Sequence, residues 1–410
     1  MNTEPSLLVR FSEITLKGKN RYRFEDRMVR NIGLHLKPHG AFQMNRSNAR
    51  MTVSGNGDLE LATSILKGLP GVANVSVTRA VAREPERLAE EAVAFMGDLL
   101  REAGLLEGTR PRQGRPLAFR VLAQRKDKRY PLRSMDLAAL LGRKVLERYP
   151  ELHVDLTRPD LVLNVEVWPD SALLYAEKIG GPGGLPVGSS GKGLCLQSAG
   201  IDSPVAAHLM MTRGVSVVHL NFHGYPFIGE QSKEKVHQMV RYLARYQPRS
   251  RLYVAPFGEI QVQIRDKCPE RLRTILYRRL MNRVANVVAH REHCQGLITG
   301  ESVGQVASQT LRNLQAIHLV AELPVLQPLI GLSKPEIVHR AQAIGTYPIS
   351  IQPFPDCCTL FQPRHPETHA NLIQLEQAEQ ALPLAELVAG CVERLERTDY
   401  GPEYYPATWA

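Results

Sequence analysis

The second half of the chain alternates between strand-like and helical segments. From residue 193 onwards, short apolar runs such as LCLQ, VSVVHLNF, RLYVAPF and GLIT are separated by helical segments such as SKEKVHQMVRYLARY and LYRRLMNRVANVVAHREH. Strands and helices of these lengths in alternation are typical of βαβ units, in which helices cover a parallel sheet. We therefore predict a doubly wound α/β domain over residues 193–410.

The residues before this domain predict two smaller α+β domains and a linker. Residues 1–57 contain a strand pattern, LLVRF, a helix from Arg21 to about His35, and a second strand near Met51. Residues 58–169 again mix helical stretches (SMDLAALLGRKVLERY) with strand-like ones (LVLNVEVW). The Gly- and Pro-rich stretch IGGPGGLPVGSSGKG holds neither a helix nor a buried strand, so we place a linker at residues 170–192.

Composition and cysteine usage limit the class of protein. The 410 residues carry 51 Lys and Arg against 41 acidic residues, a formal charge of +10 that suits a polyanionic partner and equally a soluble basic protein. The start of the chain lacks a signal-peptide pattern, and no apolar run is long enough to span a membrane. The cysteines lack the regular spacing of a disulfide framework. We therefore expect reduced thiols, a cytoplasmic location and no membrane association.

The first strand of the α/β domain runs directly into a loop and a helix in CLQSAGIDSPVAAHLM, residues 195–210. Ser203 and Pro204 predict the N-cap and first turn of that helix. A helix N-terminus at the carboxyl end of a parallel strand favours an anion, typically phosphate, although an ordinary strand-to-helix turn has the same pattern. A Walker A loop is excluded, since Pro186 and Gly193 occupy positions where it needs Gly and a hydroxyl.

The loop S-A-G-I-D-S resembles the S-G-G-x-D-S loop of PP-loop ATP pyrophosphatases, with Ala199 in place of the first Gly. We expect the methyl group of Ala199 to crowd the phosphates somewhat or to restrict the φ angle of this residue. Four further stretches occur in order along the chain: EITLKGKNRYRFE from Glu13, VDLTRPDLVLNVEV from Val154, LITGESVGQVASQT from Leu297 and PLIGLSKPEI from Pro328. Together these motifs resemble the tRNA uracil 4-sulfurtransferase family, known as ThiI.

This resemblance implies a fold and a reaction. The family has an N-terminal ferredoxin-like domain, a THUMP domain and a PP-loop domain, which we assign to residues 1–57, 58–169 and 193–410. Its members bind ATP with Mg²⁺, adenylate O4 of a uridine in tRNA, and replace the adenylated oxygen with persulfide sulfur to give 4-thiouridine. The resemblance therefore predicts an ATP-dependent enzyme whose macromolecular partner is tRNA.

Matching positions of the family imply the nucleotide site. Asp202 is expected to bind Mg²⁺ or to orient the loop, with a simple helix cap as the alternative. Lys334 follows Ser333 in a capping box and matches a catalytic lysine, although a surface lysine has the same local sequence. The residues expected to contact ATP are Leu196, Gln197, Ser198, Gly200, Ser203, Asn221, Phe222, Arg278, Gly300 and Gln309.

The resemblance also implies a sulfur-carrying cysteine at Cys357 or Cys358, which are adjacent in PFPDCCTLF. Counting from Gly300 favours the first, and matching the preceding Pro and acid favours the second. About 50 residues follow this pair, too few for the rhodanese domain of some family members, so sulfur is expected from a cysteine desulfurase directly or through a carrier. Cys268 with the pair would supply three ligands of an iron-sulfur cluster, the less favoured alternative. We interpret Cys195, Cys294 and Cys391 as inert apolar residues.

A concentrated basic segment indicates where RNA binds. Residues 107–133 contain nine Lys or Arg against two acids, which matches the THUMP domain of the family, a domain that recognises the tRNA acceptor end. A solvated basic loop is the alternative. The predicted tRNA-binding residues are Arg125, Lys126, Lys128, Arg129 and Arg158, with Lys17, Lys19 and Arg21 as weaker candidates. A homodimer stays an open alternative.

Two other functions are consistent with these motifs. The same adenylating chemistry serves other acceptors, since family members also supply sulfur for the thiazole of thiamine, and other PP-loop enzymes make 2-thiouridine or amidated products. A tRNA-binding module with a degenerate ATP loop is the second alternative, motivated by Ala199. ATP binding and the dependence of AMP formation on tRNA distinguish these functions.

Overall fold

The computed structural model describes residues 5–47, 50–102, 117–354 and 360–402. In chain order, its strands are β1 (Ser6–Phe11), β2 (Phe42–Ser47), β3 (Arg50–Gly55), β4 (Val72–Val81), β5 (Ala118–Arg125), β6 (His153–Val154), β7 (Leu161–Val167), β8 (Ala172–Tyr175), β9 (Ile179–Gly180), β10 (Lys192–Leu196), β11 (Ser216–His223), β12 (Ser250–Pro256), β13 (Leu297–Ile298), β14 (Val325–Leu326) and β15 (Glu396–Tyr400). Its α-helices are α1 (Arg21–Leu36), α2 (Leu59–Leu66), α3 (Pro85–Glu102), α4 (Ser134–Arg148), α5 (Asp202–Thr212), α6 (Glu230–Leu243), α7 (Gly258–Lys267), α8 (Arg273–Arg291), α9 (Leu311–His318), α10 (Lys334–Ala343), α11 (Tyr347–Ser350), α12 (Leu372–Gln380) and α13 (Leu384–Glu393).

The chain divides into two compact units. The first contains residues 1–11, 39–67 and 72–181, and the second contains residues 12–38, 68–71 and 182–410. Helix α1, which lies in the predicted N-terminal domain, belongs to the second unit, where the Asn31 side-chain amide donates a hydrogen bond to the carbonyl of Val187. None of the described helices is long and apolar enough to cross a membrane.

One continuous sheet forms the centre of the first unit, in the strand order β2-β3-β1-β4-β8-β7-β5-β6, with β9 also paired to β4. Strand β1 pairs antiparallel with both β3 and β4, whereas β5 pairs parallel with β7. Strand β8 is fully buried and antiparallel to β4 and β7, so the sheet extends into residues 170–192, the range predicted as a linker. The four apolar residues ALLY explain its burial, because they fill the space between two existing strands.

The second unit contains a six-stranded sheet in the order β14-β13-β10-β11-β12-β15. All neighbouring pairs are parallel except β12 with β15. Helices cover both faces: Leu194 of β10 packs into an apolar cluster with α7 and α8, and its neighbour Cys195 packs into another with α5 and α10. The predicted doubly wound domain is therefore confirmed, with an additional antiparallel edge strand.

Strand order fixes where a ligand binds in such a sheet. The chain first builds outward from β10 through β11 to β12, and then returns to place β13 and β14 on the other side of β10. The connections after β10 and β13 consequently leave in opposite directions and open a crevice at the carboxyl ends of these strands.

Candidate active site

A cavity of about 330 Å³ occupies this crevice. Its walls come from the ends of β10, β11 and β13, the first turn of α5, and one face of α8. Nine of the ten residues expected to contact ATP line it, and Gly200 is the exception. The lining residues are Leu196, Gln197, Ser198, Asp202, Ser203, Asn221, Phe222, Arg278, Met281, Thr299, Gly300, Glu301, Gln305, Val306 and Gln309.

The loop between β10 and α5 is closed by two serine side chains. The Ser203 hydroxyl accepts a hydrogen bond from the backbone N–H of Ser198 at 2.9 Å and lies 3.0 Å from the Ser198 hydroxyl. The prediction that Ser203 is the N-cap is wrong, since Ile201 holds that position and α5 begins at Asp202. A serine hydroxyl can form hydrogen bonds with any nearby backbone group. Here the Ser203 hydroxyl bonds within the loop and does not cap the helix.

Asp202 and Lys334 meet at the mouth of this loop although 132 residues separate them in sequence. The Lys334 ammonium donates to Oδ1 of Asp202 at 2.6 Å, and the Gln305 side-chain amide donates to Oδ2 at 2.9 Å. Lys334 begins α10, whose first turn is fixed by the predicted capping box, in which the Glu336 carboxylate accepts from the Ser333 N–H. The structure thus brings together two of the predicted catalytic side chains.

Glu301 is a lining residue that the sequence analysis did not select. Its carboxylate is 2% exposed and forms an ion pair with Nη2 of Arg278 at 2.5 Å. Burial acts to raise the pKa of Glu301, but the charge of Arg278 and hydrogen bonds from His318 and Thr299 outweigh it and lower the pKa to about 2. Glu301 is consequently ionised at neutral pH.

Buried amide side chains line the inner wall. The Gln197 carbonyl accepts a hydrogen bond from the side-chain amide of Asn221 at 2.8 Å, and the Gln197 side-chain oxygen lies 3.1 Å from Nδ1 of His219. The side-chain oxygen of Gln309 is buried and has no hydrogen-bond partner within the described part of the chain. It is therefore available to accept a hydrogen bond from a ligand in the cavity.

Gly300 permits close packing behind the loop. A Cβ at this position would lie 2.8 Å from the N of Ser203 and 2.9 Å from the carbonyl carbon of Asp202. These are backbone atoms of the first turn of α5, which cannot move aside as a flexible side chain would. A side chain at position 300 would therefore push this turn away from the strand ends.

Comparison with known proteins identifies the family. Models of the ThiI ferredoxin-like domain, the THUMP domain and the thiamine biosynthesis protein ThiI match residues 6–76, 107–177 and 188–384. The probable tRNA sulfurtransferase of Moorella thermoacetica is 43% identical over 97% of this chain and 98% of the relative, and that of Caldanaerobacter subterraneus is 41% identical over 92% and 95%. The chain belongs to the ThiI family. A solved 4-thiouridine synthetase in complex with RNA and bound ATP is 34% identical, with a TM-score of 0.86 over 97% of this chain and 99% of that one.

Ala199, which occupies the position of the first glycine in the PP-loop pattern, does not line the cavity. Its side chain is 1% exposed and packs in an apolar cluster with Val236 and Val240 of α6 and Val254 of β12. Ala199 is absent from the cavity lining, and its φ is not positive. The expected crowding of the phosphates or restriction of φ is therefore wrong, because the methyl group points into the core.

Changing Ala199 to Gly is expected to leave ATP affinity within about twofold, because the methyl group lies outside the cavity. The same change should lower the free energy of unfolding by about 1 kcal/mol, since it removes a buried methyl group and adds chain entropy to the unfolded state. ATP titration and urea denaturation measure the two effects. A large gain in ATP affinity would show that the methyl group does obstruct the nucleotide.

The described cysteines are not suited to sulfur transfer. Cys195, Cys294 and Cys391 are buried, and burial raises the pKa of each thiol, which confirms their assignment as apolar residues. Cys268 is also buried, with its thiol 3.5 Å from the carbonyl of Ala378, and burial raises its pKa as well. Cys357 and Cys358 lie outside the described residues.

The predicted tRNA-binding residues fall in both units. Arg125 ends β5, and the next turn carries Lys126, Lys128 and Arg129, of which Arg129 has 84% of its side chain exposed. Arg158 is exposed in the segment between β6 and β7 of the same unit. Lys17, Lys19 and Arg21 belong to the second unit, where Arg21 forms an ion pair with Glu25. Residues 103–116, the first part of the basic segment, lie outside the described range.

Proposed function

We propose that this chain uses ATP to transfer sulfur to C4 of a uridine in tRNA, giving 4-thiouridine. The observation that best supports this proposal is the cavity at the carboxyl ends of β10, β11 and β13. The ThiI-family loop and Asp202 line this cavity, and Lys334 contacts Asp202. The likeness to a 4-thiouridine synthetase with RNA and ATP, at 34% identity over nearly the whole chain, supports both the substrate and the nucleotide.

Adenylation makes it possible to replace the C4 oxygen of uracil by sulfur. The carbonyl oxygen of uracil is a poor leaving group, and attack by O4 on the α-phosphate of ATP forms an O–P bond while the bond to pyrophosphate breaks. Negative charge then grows on the departing pyrophosphate. In this proposal, the N-terminus of α5 and the Lys334 ammonium, which is paired with Asp202 in the first turn of that helix, stabilise this charge. The outer sulfur of the persulfide then attacks C4, so that a C–S bond forms as the C–O bond to AMP breaks. A second thiol breaks the remaining S–S bond to release 4-thiouridine, and a thiol reductant returns the resulting disulfide to thiols.

The donor set at the loop is compatible with Mg²⁺ bound together with a triphosphate. Mg²⁺ commonly uses one or two carboxylates and takes its remaining ligands from phosphates and water. Asp202 is such a carboxylate, and its present partners, Lys334 and Gln305, are side chains able to move to phosphate oxygens. When bound, the ion would neutralise charge between the carboxylate and the phosphates.

The sulfur carrier in this proposal is Cys357 or Cys358. The remaining cysteines are buried in described parts of the fold and hold their protons. A persulfide delivered by a cysteine desulfurase would form on one thiol of the pair. Supply of sulfur for the thiazole of thiamine is a second role of the same persulfide, favoured by the match of residues 188–384 to a thiamine biosynthesis protein.

The basic end of β5 and the turn after it, residues 125–129, are proposed to bind the RNA backbone. Changing Arg125 and Arg129 together to alanine should weaken tRNA binding about tenfold or more and reduce the slope of log K against log salt by about 2, one for each lost phosphate contact. Filter binding at several salt concentrations measures both quantities.

A matched control uses two exposed basic residues elsewhere in the same unit. Arg101 and Lys144 form surface ion pairs with Asp98 and Glu147, and their joint change to alanine should leave affinity and salt slope near wild type. Equal losses in both double variants would show that binding follows net charge, and that the turn carries no particular contact.

Release of AMP with and without tRNA tests the proposed reaction. We expect ATP to be converted to AMP and pyrophosphate only when tRNA is present, and α-phosphate label to accumulate on tRNA when the sulfur donor is withheld. AMP formation at the same rate without RNA would contradict this proposal and favour a small-molecule acceptor. Absence of ATP binding would favour a tRNA-binding module.

A further inference from the structure

Glu301 forms a rigid support on the wall of the cavity. Its Oε2 accepts hydrogen bonds from the Thr299 hydroxyl at 2.8 Å, from Nε2 of His318 at 2.8 Å, and from the Gln327 side-chain amide at 2.7 Å. These donors come from three places in the fold, after β13, at the end of α9, and after β14. With three donors on one oxygen, the carboxylate has a single orientation, and Oε1 faces Arg278.

Arg278 is held by this carboxylate through one nitrogen only. Its Nη2 donates to Oε1 of Glu301 at 2.5 Å, and within the described residues the guanidinium makes no other hydrogen bond. The side chain is 19% exposed and lines the cavity. The remaining N–H groups of a planar guanidinium, fixed at one corner, therefore have a defined direction toward a ligand.

We infer that Glu301 is a positioning residue for nucleotide binding, acting by fixing the Arg278 guanidinium before ATP arrives. An arginine side chain loses considerable rotamer freedom when it binds a ligand, and a support that holds it beforehand removes part of that cost. This inference rests on the proposed function in one respect, namely that ATP occupies the cavity.

A different role for Glu301 makes the opposite prediction. If the carboxylate served only to neutralise Arg278, its removal would leave an uncompensated positive charge in the cavity, and ATP would bind more tightly. Under the positioning role, ATP binds more weakly when the support is removed or shortened, whether or not the negative charge is kept. Variants of Glu301 that change the charge and the side-chain length separately therefore distinguish the neutralising role from the positioning role.

The experiment measures the dissociation constant of ATP by calorimetry for the full-length protein and five variants. Glu301→Ala and Glu301→Asp should each weaken binding about tenfold, the second because it keeps the charge but withdraws it from Arg278 by one methylene. Glu301→Gln should also weaken binding, by up to about tenfold, since it keeps the length but its NH2 group must face either Arg278 or the three donors that Oε2 accepts in the wild-type protein. The double change Glu301→Ala with Arg278→Ala should bind no more than about twofold more weakly than Arg278→Ala alone.

Melting temperature and tRNA affinity are recorded for each variant, and Glu301→Asp carries the test if Glu301→Ala does not fold. ATP binding by Glu301→Asp equal to or tighter than wild type would overturn the inference, as would losses that multiply in the double variant. Failure of the wild-type protein to bind ATP would instead overturn the proposed function. The two failures are thus distinguishable.

Discussion

Replacing Asp202 by alanine is expected to reduce adenylation of tRNA by about 10²- to 10³-fold, the loss typical of removing one preorganised electrostatic group from an active site. The carboxylate holds the Lys334 ammonium at 2.6 Å and the Gln305 amide at 2.9 Å, so its loss releases both side chains at the loop. Transfer of α-phosphate label from ATP to tRNA, without a sulfur donor, measures the effect.

The same variant should keep the tRNA affinity of the wild-type protein, because the predicted RNA contacts lie elsewhere in the chain. Asp266→Ala is the matched control, since Asp266 is an exposed aspartate of the same unit, paired with Arg265 outside the cavity lining. Adenylation should be unchanged in this control. An Asp202→Ala protein that adenylates tRNA normally would contradict the assignment of the loop.

Replacing the sulfur-accepting cysteine by serine is expected to lower the rate of thiolation by about 10³-fold or more, because a serine oxygen does not form a persulfide. Adenylation should continue. Cys357→Ser and Cys358→Ser are compared singly, so each variant is the control for its neighbour. Adenylated tRNA should accumulate in whichever variant loses thiolation. Liquid chromatography of nucleosides, with label transfer in parallel, measures both steps.

Two results would contradict this role for the pair. Normal thiolation in both single variants and in the double variant would place the sulfur on another group. A parallel loss of adenylation and thiolation would indicate a structural effect of the substitution. Buried Cys195, Cys268, Cys294 and Cys391 are poor alternatives, since burial raises the pKa of each thiol above that of an exposed cysteine.

Periodicity predicted the central strands of the second unit because buried parallel strands are continuous apolar runs. It did not find β15, whose sequence ERTDY is polar and pairs at the edge of the sheet. It also missed β6, β9 and β14, since two residues are too few to show an alternation. Long-range pairing creates such strands, and pairing partners are not visible in a local pattern.

Most of the residues that line the cavity were predicted from the resemblance of motifs to a known family, and not from the spacing of residues along the chain. Local reasoning assigned Ser203 as an N-cap, whereas its hydroxyl bonds to Ser198 within the loop. Glu301 was missed although it lies inside the motif LITGESVGQVASQT, because its importance comes from Arg278, His318 and Gln327, which approach it only in the folded chain. A buried carboxylate with several donors has no signature in the sequence until its partners are known.

Nucleoside mass spectrometry of tRNA determines whether this chain places sulfur on a tRNA uridine. We predict that tRNA from a strain lacking the protein contains no 4-thiouridine. The wild-type gene should restore the nucleoside, and the Asp202→Ala gene should not. Unchanged 4-thiouridine in the deletion strain would contradict the proposed function, and restoration by the Asp202→Ala gene would contradict the proposed role of Asp202.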